Sequence, residues 1–400
     1  MQSKSNHYDI IVIGLGAVGS ATLYQLTEKS SSKLKVLGID QYSPPHIYGS
    51  SHGESRFTRL SGGEFQEYAL TAQRSHELWA MIAAKTQGAF GALHHHTGGL
   101  MIGSLEKSSF LQNTIASAKE LALEHRILDA QALKKSYPQF NQVTQDLIAY
   151  YEKDMGILVP EACIFSQLAL AKNNHADIHV EEKLLRFERM PLGQIRIDTD
   201  KGQYFTDKLI LSVGAWIAQL LDQEKARLFK IYRQVFYWFQ VAKAAVPQFQ
   251  LGQFPPTVWL LGNEEMFYAM PSPVKRDVLK VAYENSATWE ASLTPEAVVR
   301  EVSFAEQQKF YHEQVIQHLH GVNNQCNSAK VCLYTCTPNY RFLIDYLPGY
   351  DEKVIVASPC SGRGFKHSAA IGEALAAQML GMDHPINLTQ LFGGWDMGGI

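Results

Sequence analysis

Asp9-Ile10-Ile11-Val12-Ile13-Gly14-Leu15-Gly16-Ala17-Val18-Gly19 decides the fold of this chain. After Asp9, the residues Ile10-Ile11-Val12-Ile13 are an apolar, β-branched run that suits a buried parallel strand. They lead directly into a glycine turn, and residues 17–28 carry a helical pattern with Leu23, Tyr24 and Leu26 as its larger apolar members. A polar break at residues 29–33 leads to a second strand, residues 34–39, which ends in Asp40. Strand, glycine turn, helix, strand and acid together form the dinucleotide-binding fingerprint; the glycines alone would be a weak signal. Gly14 permits the tight turn, Gly16 lets the backbone approach a pyrophosphate, and Gly19 lets helix and strand pack closely. The helix N-terminus offers unpaired N–H groups and a positive dipole end to the phosphates. Asp40 is placed to accept from a ribose hydroxyl pair, and its charge opposes the 2′-phosphate of NADP. The motif does not by itself separate FAD from NAD.

Working outward, 400 residues suit one large domain or two interleaved ones. With 46% hydrophobic and 19% charged residues the chain can bury a sizeable core, and a net charge of −3 gives no reason to expect nucleic acid as a partner. Cys163, Cys326, Cys332, Cys336 and Cys360 are few and irregularly spaced, which argues against a disulfide framework or a zinc site and for a reducing compartment. The longest apolar region, residues 209–221, is interrupted by Ser212, Gly214 and Gln219 and is too short for a bilayer. Residues 397–400 carry no peroxisomal or retention address. A cytoplasmic protein without membrane attachment is expected.

After Asp40, Ser43-Pro44-Pro45-His46 is a rigid extended loop, and residues 49–59 gather small, polar and cationic side chains on the cofactor side of such a sheet. Residues 67–86, 105–136 (with polar breaks), 160–172 and 295–320 read as helical, and residues 178–181, 195–199 and 208–214 as strands. His94, His95 and His96 cannot all face one metal from a strand, so they read as structural or edge residues and no metal is expected. Residues 233–242 and 257–271 are sheet-like and rich in aromatics, including Phe236, Trp238 and Tyr268, which could be core or the wall of a pocket. Lys280 sits in the alternating apolar strand of residues 278–283 and must snorkel out, pair or face a cavity.

Near the C-terminus, strand-like residues 331–335, 342–345 and 354–357 precede Ser361-Gly362-Arg363-Gly364-Phe365-Lys366-His367 and an alanine-rich helix over residues 368–380, with Gly381 as its C-terminal stop. A second glycine loop opening a helix is a second anion-stabilising terminus, which a flavin ring can use and a nicotinamide enzyme does not need.

With these blocks the sequence resembles the monomeric sarcosine oxidase and N-methyltryptophan oxidase family, FAD-dependent amine oxidases of the D-amino-acid-oxidase-like superfamily. The matching blocks are the N-terminal glycine motif, Ser43 to His46, Gly49 to Arg59, Thr97-Gly98-Gly99-Leu100, Cys332-Leu333-Tyr334-Thr335 and Ser361 to Lys366, in order along nearly the whole chain. The resemblance implies an α/β fold: a Rossmann-like FAD-binding domain (residues 1–78, 154–224 and 326–400) with an inserted α+β substrate domain (79–153 and 225–325) carrying a mixed or antiparallel sheet. It assigns Gly14, Gly16, Gly19, Asp40, Arg56, Val180, Gly362, Gly364 and Lys366 to the cofactor and makes Cys332 the site of covalent FAD attachment. It places Lys280 over the flavin as a fixed cation that activates oxygen, Arg59 and Lys366 on the substrate carboxylate, and His52 and Tyr334 in the lining.

Two positions depart from the family pattern: Glu284 and Arg363 stand where histidines are expected. Both alter charge near the substrate and point away from sarcosine towards a larger or differently charged amino acid. The expected activity is oxidation of a secondary amino acid, N-methylated or cyclic, by a monomer, with O2 reduced to H2O2. A dehydrogenase with another acceptor, an enzyme acting on modified RNA bases, and a flavin-binding protein without turnover are the alternatives. The net charge of −3 disfavours RNA, and mere binding would not need Arg59, Lys280 and Lys366.

Overall fold

The computed structural model describes residues 6–30, 34–63, 68–262 and 265–396. The polar break at 31–33, the first residue of the expected 67–86 helix and residues 397–400 lie outside them. Two large sheets carry the chain. The eight-stranded one is centred on His7–Ile13, whose neighbours are Val36–Ile39 on one side and Gln203–Leu211 on the other, both parallel to it. Asp177–His179 extends one edge in parallel, and Val354–Ser358 pairs in parallel with the end of Gln203–Leu211. The β-branched run at residues 10–13 is buried on both faces, as a central parallel strand requires.

The long helices Ala17–Lys29, Tyr68–Thr86, Pro160–Asn173 and Ser368–Leu380 cover one face of this sheet, with the short Leu388–Phe392 beside them. Of the long helices, the first and last cross at very short range. A Cβ added at Gly372 would come within 2.4 Å of the Ala21 Cβ, so only glycine allows this approach. The crossing sets the two glycine loops side by side at one edge of the sheet.

The nine-stranded sheet alternates strictly. On Val278–Asn285, Leu279 and Val281 enter its core while Lys280 and Glu284 take the opposite face. On Glu265–Pro271, Phe267 and Ala269 are core, and Met266, Tyr268 and Met270 oppose them. The same division separates Val235 and Tyr237 from Phe236 on Lys230–Val241, and Val331 and Leu333 from Cys332 and Tyr334 on Val322–Cys336. One face rests on a hydrophobic core; the other looks across a cavity towards the first sheet. Val322–Cys336 pairs along its length with Lys230–Val241, so position 326 falls inside a single strand of this sheet.

Several elements differ from the sequence reading. Residues 105–136 are two helices, Ser109–Glu120 and Ala130–Ser136, separated by the strand His125–Leu128. Pairing with Leu147–Glu152 overrides the helical pattern there. Residues 295–320 do not form one helix. After a short turn at Pro295–Ala297 the chain runs extended, with the Val299 and Glu301 carbonyls accepting from Arg233, and the helix starts at Phe304 behind a Ser303 cap. The strand expected at 178–181 is Asp177–His179, because Glu181 turns at φ 57°. His94–His96 is an edge strand of a small three-stranded sheet, with Gly156–Leu158 in the middle and Arg56–Thr58 at the other edge.

Candidate active site

A cavity of about 760 Å³ runs between the two sheets. Its nucleotide end is built by the first strand, turn and helix. Gly14 makes the turn at φ 85°, where an added Cβ would lie 2.6 Å from the Ser212 carbonyl oxygen. Gly19 packs the helix onto the turn, since its Cβ would fall 1.7 Å from the Gly14 carbonyl oxygen. Gly16 differs from both. It lines the cavity, and a Cβ there would meet nothing nearer than Ser51 Oγ at 3.5 Å. The protein's own packing leaves room at that position for a ligand group. The helix begins with no side-chain cap on Gly16, and Ala17 N–H donates to Ser51 Oγ at 3.3 Å. Asp40 lies 4% exposed in the wall, accepting from Leu15 N–H at 2.7 Å and Tyr42 N–H at 2.8 Å. Burial raises its carboxyl above the ordinary value, against the pull of those N–H groups and His46. Uncapped helix N–H groups, a glycine open to the cavity and a fixed acid fit the diphosphate and ribose of FAD.

The second glycine loop closes the other side. Gly362 turns at φ 75° against the Tyr334 ring, and Gly364 sits where a Cβ would strike the Pro359 carbonyl oxygen at 1.5 Å. The helix that follows has no side-chain cap. Lys366 lines the cavity and its Nζ donates to the Arg363 carbonyl at 3.3 Å.

Lys280 is 1% exposed and aimed across the cavity. Its Nζ donates to the carbonyls of Gly53 at 2.7 Å and Ser55 at 2.8 Å, and lies 4.2 Å from the centre of the Phe236 ring. Burial first, and then Arg56 beside it, hold the amine well below the usual lysine range. The sequence reading of a fixed cation therefore meets surroundings that weaken its basicity. Arg56 donates to the Ser50 carbonyl at 2.8 Å, reaches Cys332 Sγ at 3.8 Å and lies over Phe236 at 4.9 Å. Arg59 is 3% exposed, donates to the Ser61 carbonyl and stacks on Phe110 at 5.0 Å. Beyond it Met101, Phe110, Val258, Leu260 and Met266 form an apolar arm of the cavity.

The wall thus joins Gly14, Gly16, Asp40, Arg56, Arg59, Lys280, Tyr334, Gly362, Gly364 and Lys366. Cys332, His52, Gly19 and Val180 are not part of it. Cys332 lies 1% exposed just behind Ser50 and Arg56, with its Sγ 3.5 Å from the Ser50 carbonyl. Burial pushes its thiol up to about 11, with Arg56 opposing; such a setting disfavours the nucleophilic thiolate that attachment to a flavin needs. His52 is 2% exposed with neither ring nitrogen hydrogen-bonded among the described residues, and burial, Arg56 and Lys280 push its imidazole down to about 3. Val180 is 37% exposed and follows the strand edge.

Sequence reasoning passed over Glu161, whose Oε1 accepts from the N–H groups of Gly53 at 2.7 Å and Glu54 at 3.2 Å, fixing the loop that holds Lys280. Its place just after the Pro160 that opens a helix was the available signal. Tyr268 reads in the sequence only as part of an aromatic patch; its hydroxyl donates to Glu284 at 3.0 Å.

Residues 9–378 match the family described as FAD dependent oxidoreductase. The chain is 34% identical over 392 residues to "Monomeric sarcosine oxidase" of Streptomyces avermitilis, covering 95% of this chain and 96% of that one. It is 29% identical over 382 residues to "N-methyl-L-tryptophan oxidase" of Salmonella dublin, covering 96% and 97%. In fold it is similar to NikD, "an unusual amino acid oxidase essential for nikkomycin biosynthesis", with a TM-score of 0.81 at 19% identity over 96% of this chain and 97% of that one. The chain belongs to the FAD-dependent oxidoreductases, in the group of the sarcosine and N-methyltryptophan oxidases. Among the described residues no helix is long and apolar enough to cross a membrane.

Proposed function

We propose that this FAD-dependent enzyme oxidises the C–N bond of a secondary amino acid, N-methylated or cyclic and bulkier than sarcosine, and passes the electrons to O2. The observation that carries the reading is one continuous cavity wall that joins a nucleotide cradle, buried cations and an apolar arm. When bound, FAD supplies the two-electron acceptor. The chain's own residues bind and orient. Gly14, Gly16, Asp40, Gly362 and Gly364 would hold the cofactor, with Gly19 setting the turn and Cys332 behind the wall as the tether. Arg59 and Lys366 take the substrate carboxylate and fix its orientation as well as its position. The apolar arm of Met101, Phe110, Val258, Leu260 and Met266 receives the larger substituent and excludes water. Lys280 faces the acceptor side, where O2 is reduced to H2O2. The substrate loses two electrons and two protons to give an imine, which water hydrolyses to an amine and a carbonyl product. We read the protein as a cytoplasmic monomer; five unbridged cysteines fit a reducing compartment.

The test is anaerobic mixing of the flavin-loaded protein with sarcosine, N-methyltryptophan, pipecolate, proline and primary amino acids, followed by air. Bleaching of the flavin by a bulky secondary amino acid, with recovery and peroxide in air, is expected. Bleaching without recovery in air would replace O2 by another acceptor. No bleaching by any of them would reject the substrate class.

A further inference from the structure

Glu284 has no role in the reading above, yet its carboxylate stands in the cavity wall on the same strand face as Lys280. Two phenols fix it. Tyr334 donates to Oε1 at 2.6 Å and Tyr268 donates to the same oxygen at 3.0 Å. The second oxygen, Oε2, has no hydrogen-bond partner among the described residues, and Glu284 forms no ion pair among them. Aromatic rings surround it: Tyr268 and Tyr334 with hydroxyls 3.4 Å apart, and Trp289 in the wall, edge-on to Tyr334 at 5.7 Å.

A carboxylate with one oxygen held by two phenols and the other without a hydrogen-bond partner among the described residues, set among aromatic side chains, has the chemistry of a cation seat. The same wall carries Arg59 and Lys366, which the reading above gives to the carboxylate. A zwitterion needs both kinds of anchor. We propose that Glu284, held by Tyr268 and Tyr334, binds the cationic nitrogen of a zwitterionic amino-acid ligand and so selects amino acids over plain carboxylates. The inference rests on the amino-acid reading above. Burial raises the carboxyl above its ordinary value, while the two phenols, Arg363 and Lys366 favour its charged form. Docking moves no proton: the ammonium is stabilised by the anion beside it, and the bound amine becomes harder to deprotonate.

Two unreactive isosteres isolate the charge: trimethylammonioacetate, which is cationic at the far end, and 3,3-dimethylbutanoate, which is neutral there. Calorimetric titration of the flavin-loaded protein should show about tenfold tighter binding of the first. In Glu284→Gln the preference should vanish from both sides, the ammonium ligand weakening and the plain carboxylate tightening. Glu284→Asp should keep part of it. With a reactive substrate, the pH at which anaerobic flavin reduction becomes fast should move down in Glu284→Gln, because the bound amine loses its stabilising anion. Parallel changes for both isosteres would make Glu284 a prop for the two tyrosines and overturn the proposal. So would an upward shift of the pH profile, the mark of a proton acceptor. Wild-type protein that binds both isosteres equally overturns this inference alone. Wild-type protein that binds neither overturns the amino-acid reading and the inference with it.

Discussion

Lys280 is the side chain whose surroundings say most about its work. Two carbonyls and an aromatic face favour its ammonium form, while burial and Arg56 oppose it and prevail in direction. Lys280→Met should therefore slow reoxidation by O2 about a hundredfold while leaving anaerobic reduction within a few-fold, the size expected for losing one preorganised charge at the reacting centre. Stopped-flow traces of the two half-reactions separate these, and equal slowing of both would remove Lys280 as the oxygen-side residue. The sign of the pH effect follows from the lowered basicity. The ammonium is lost below the ordinary lysine range near 10.4, so wild-type reoxidation should slow as pH climbs towards that range. Cys332 offers a second check. Acid precipitation should carry the flavin down with wild-type protein and leave it in solution for Cys332→Ser; flavin in solution from both would refute the tether. The place of Lys280 in the cavity wall was legible because a lysine interrupts an apolar strand; Cys332 was singled out only by the family block it belongs to, and it lies behind the wall. Glu161 was not legible, since its task is to hold a loop distant in sequence, and no local pattern reports that.

At the scale of elements, the first strand, turn and helix were readable because each glycine answers a local steric demand. The structure separates those demands. Gly19→Ala forces a Cβ into the Gly14 carbonyl and should cost the flavin-free protein about 3 kcal/mol. Gly16→Ala meets only a hydroxyl at ordinary contact distance and should cost less than about 1 kcal/mol, yet it should lower flavin loading sharply by filling the cavity. Thermal melts of the flavin-free proteins and the ratio of flavin to protein absorbance test the pair; equal stability loss in both would contradict the assignment of Gly16 to the ligand. Where the sequence reading failed, the cause was tertiary. Residues 125–128 have a helical neighbourhood but find a strand to pair with, and residues 298–303 are pulled straight by Arg233. A helical pattern reports which face is apolar, not which partner is waiting.

For the whole molecule, the joint between distant segments is Glu373. It lies 4% exposed on the last long helix and accepts from Arg74 at 2.7 and 2.8 Å, with Lys29 at 3.3 Å and His384 at 3.2 Å. Burial alone would raise its carboxyl, but Arg74, His384 and Lys29 outweigh that and hold it well below the usual carboxylate range. A lowered folded value means the stabilisation is fully present above the unfolded carboxyl value of about 4.3 and is lost as pH falls towards the folded one. Glu373→Gln should thus cost about 2–3 kcal/mol at pH 7, with the gap from wild type narrowing below pH ~4; urea melts at the two pH values check it, and a constant gap would exclude the linkage. The strict alternation of the nine-stranded sheet has a further consequence, for how such a protein can diversify. Positions 266, 268, 270, 280 and 284 touch ligand space, while 267, 269, 279 and 281 carry the core. New preferences can be drawn from one register of the weave without loosening the other, so a mutant library confined to the cavity-facing positions should return mostly folded proteins with altered appetites.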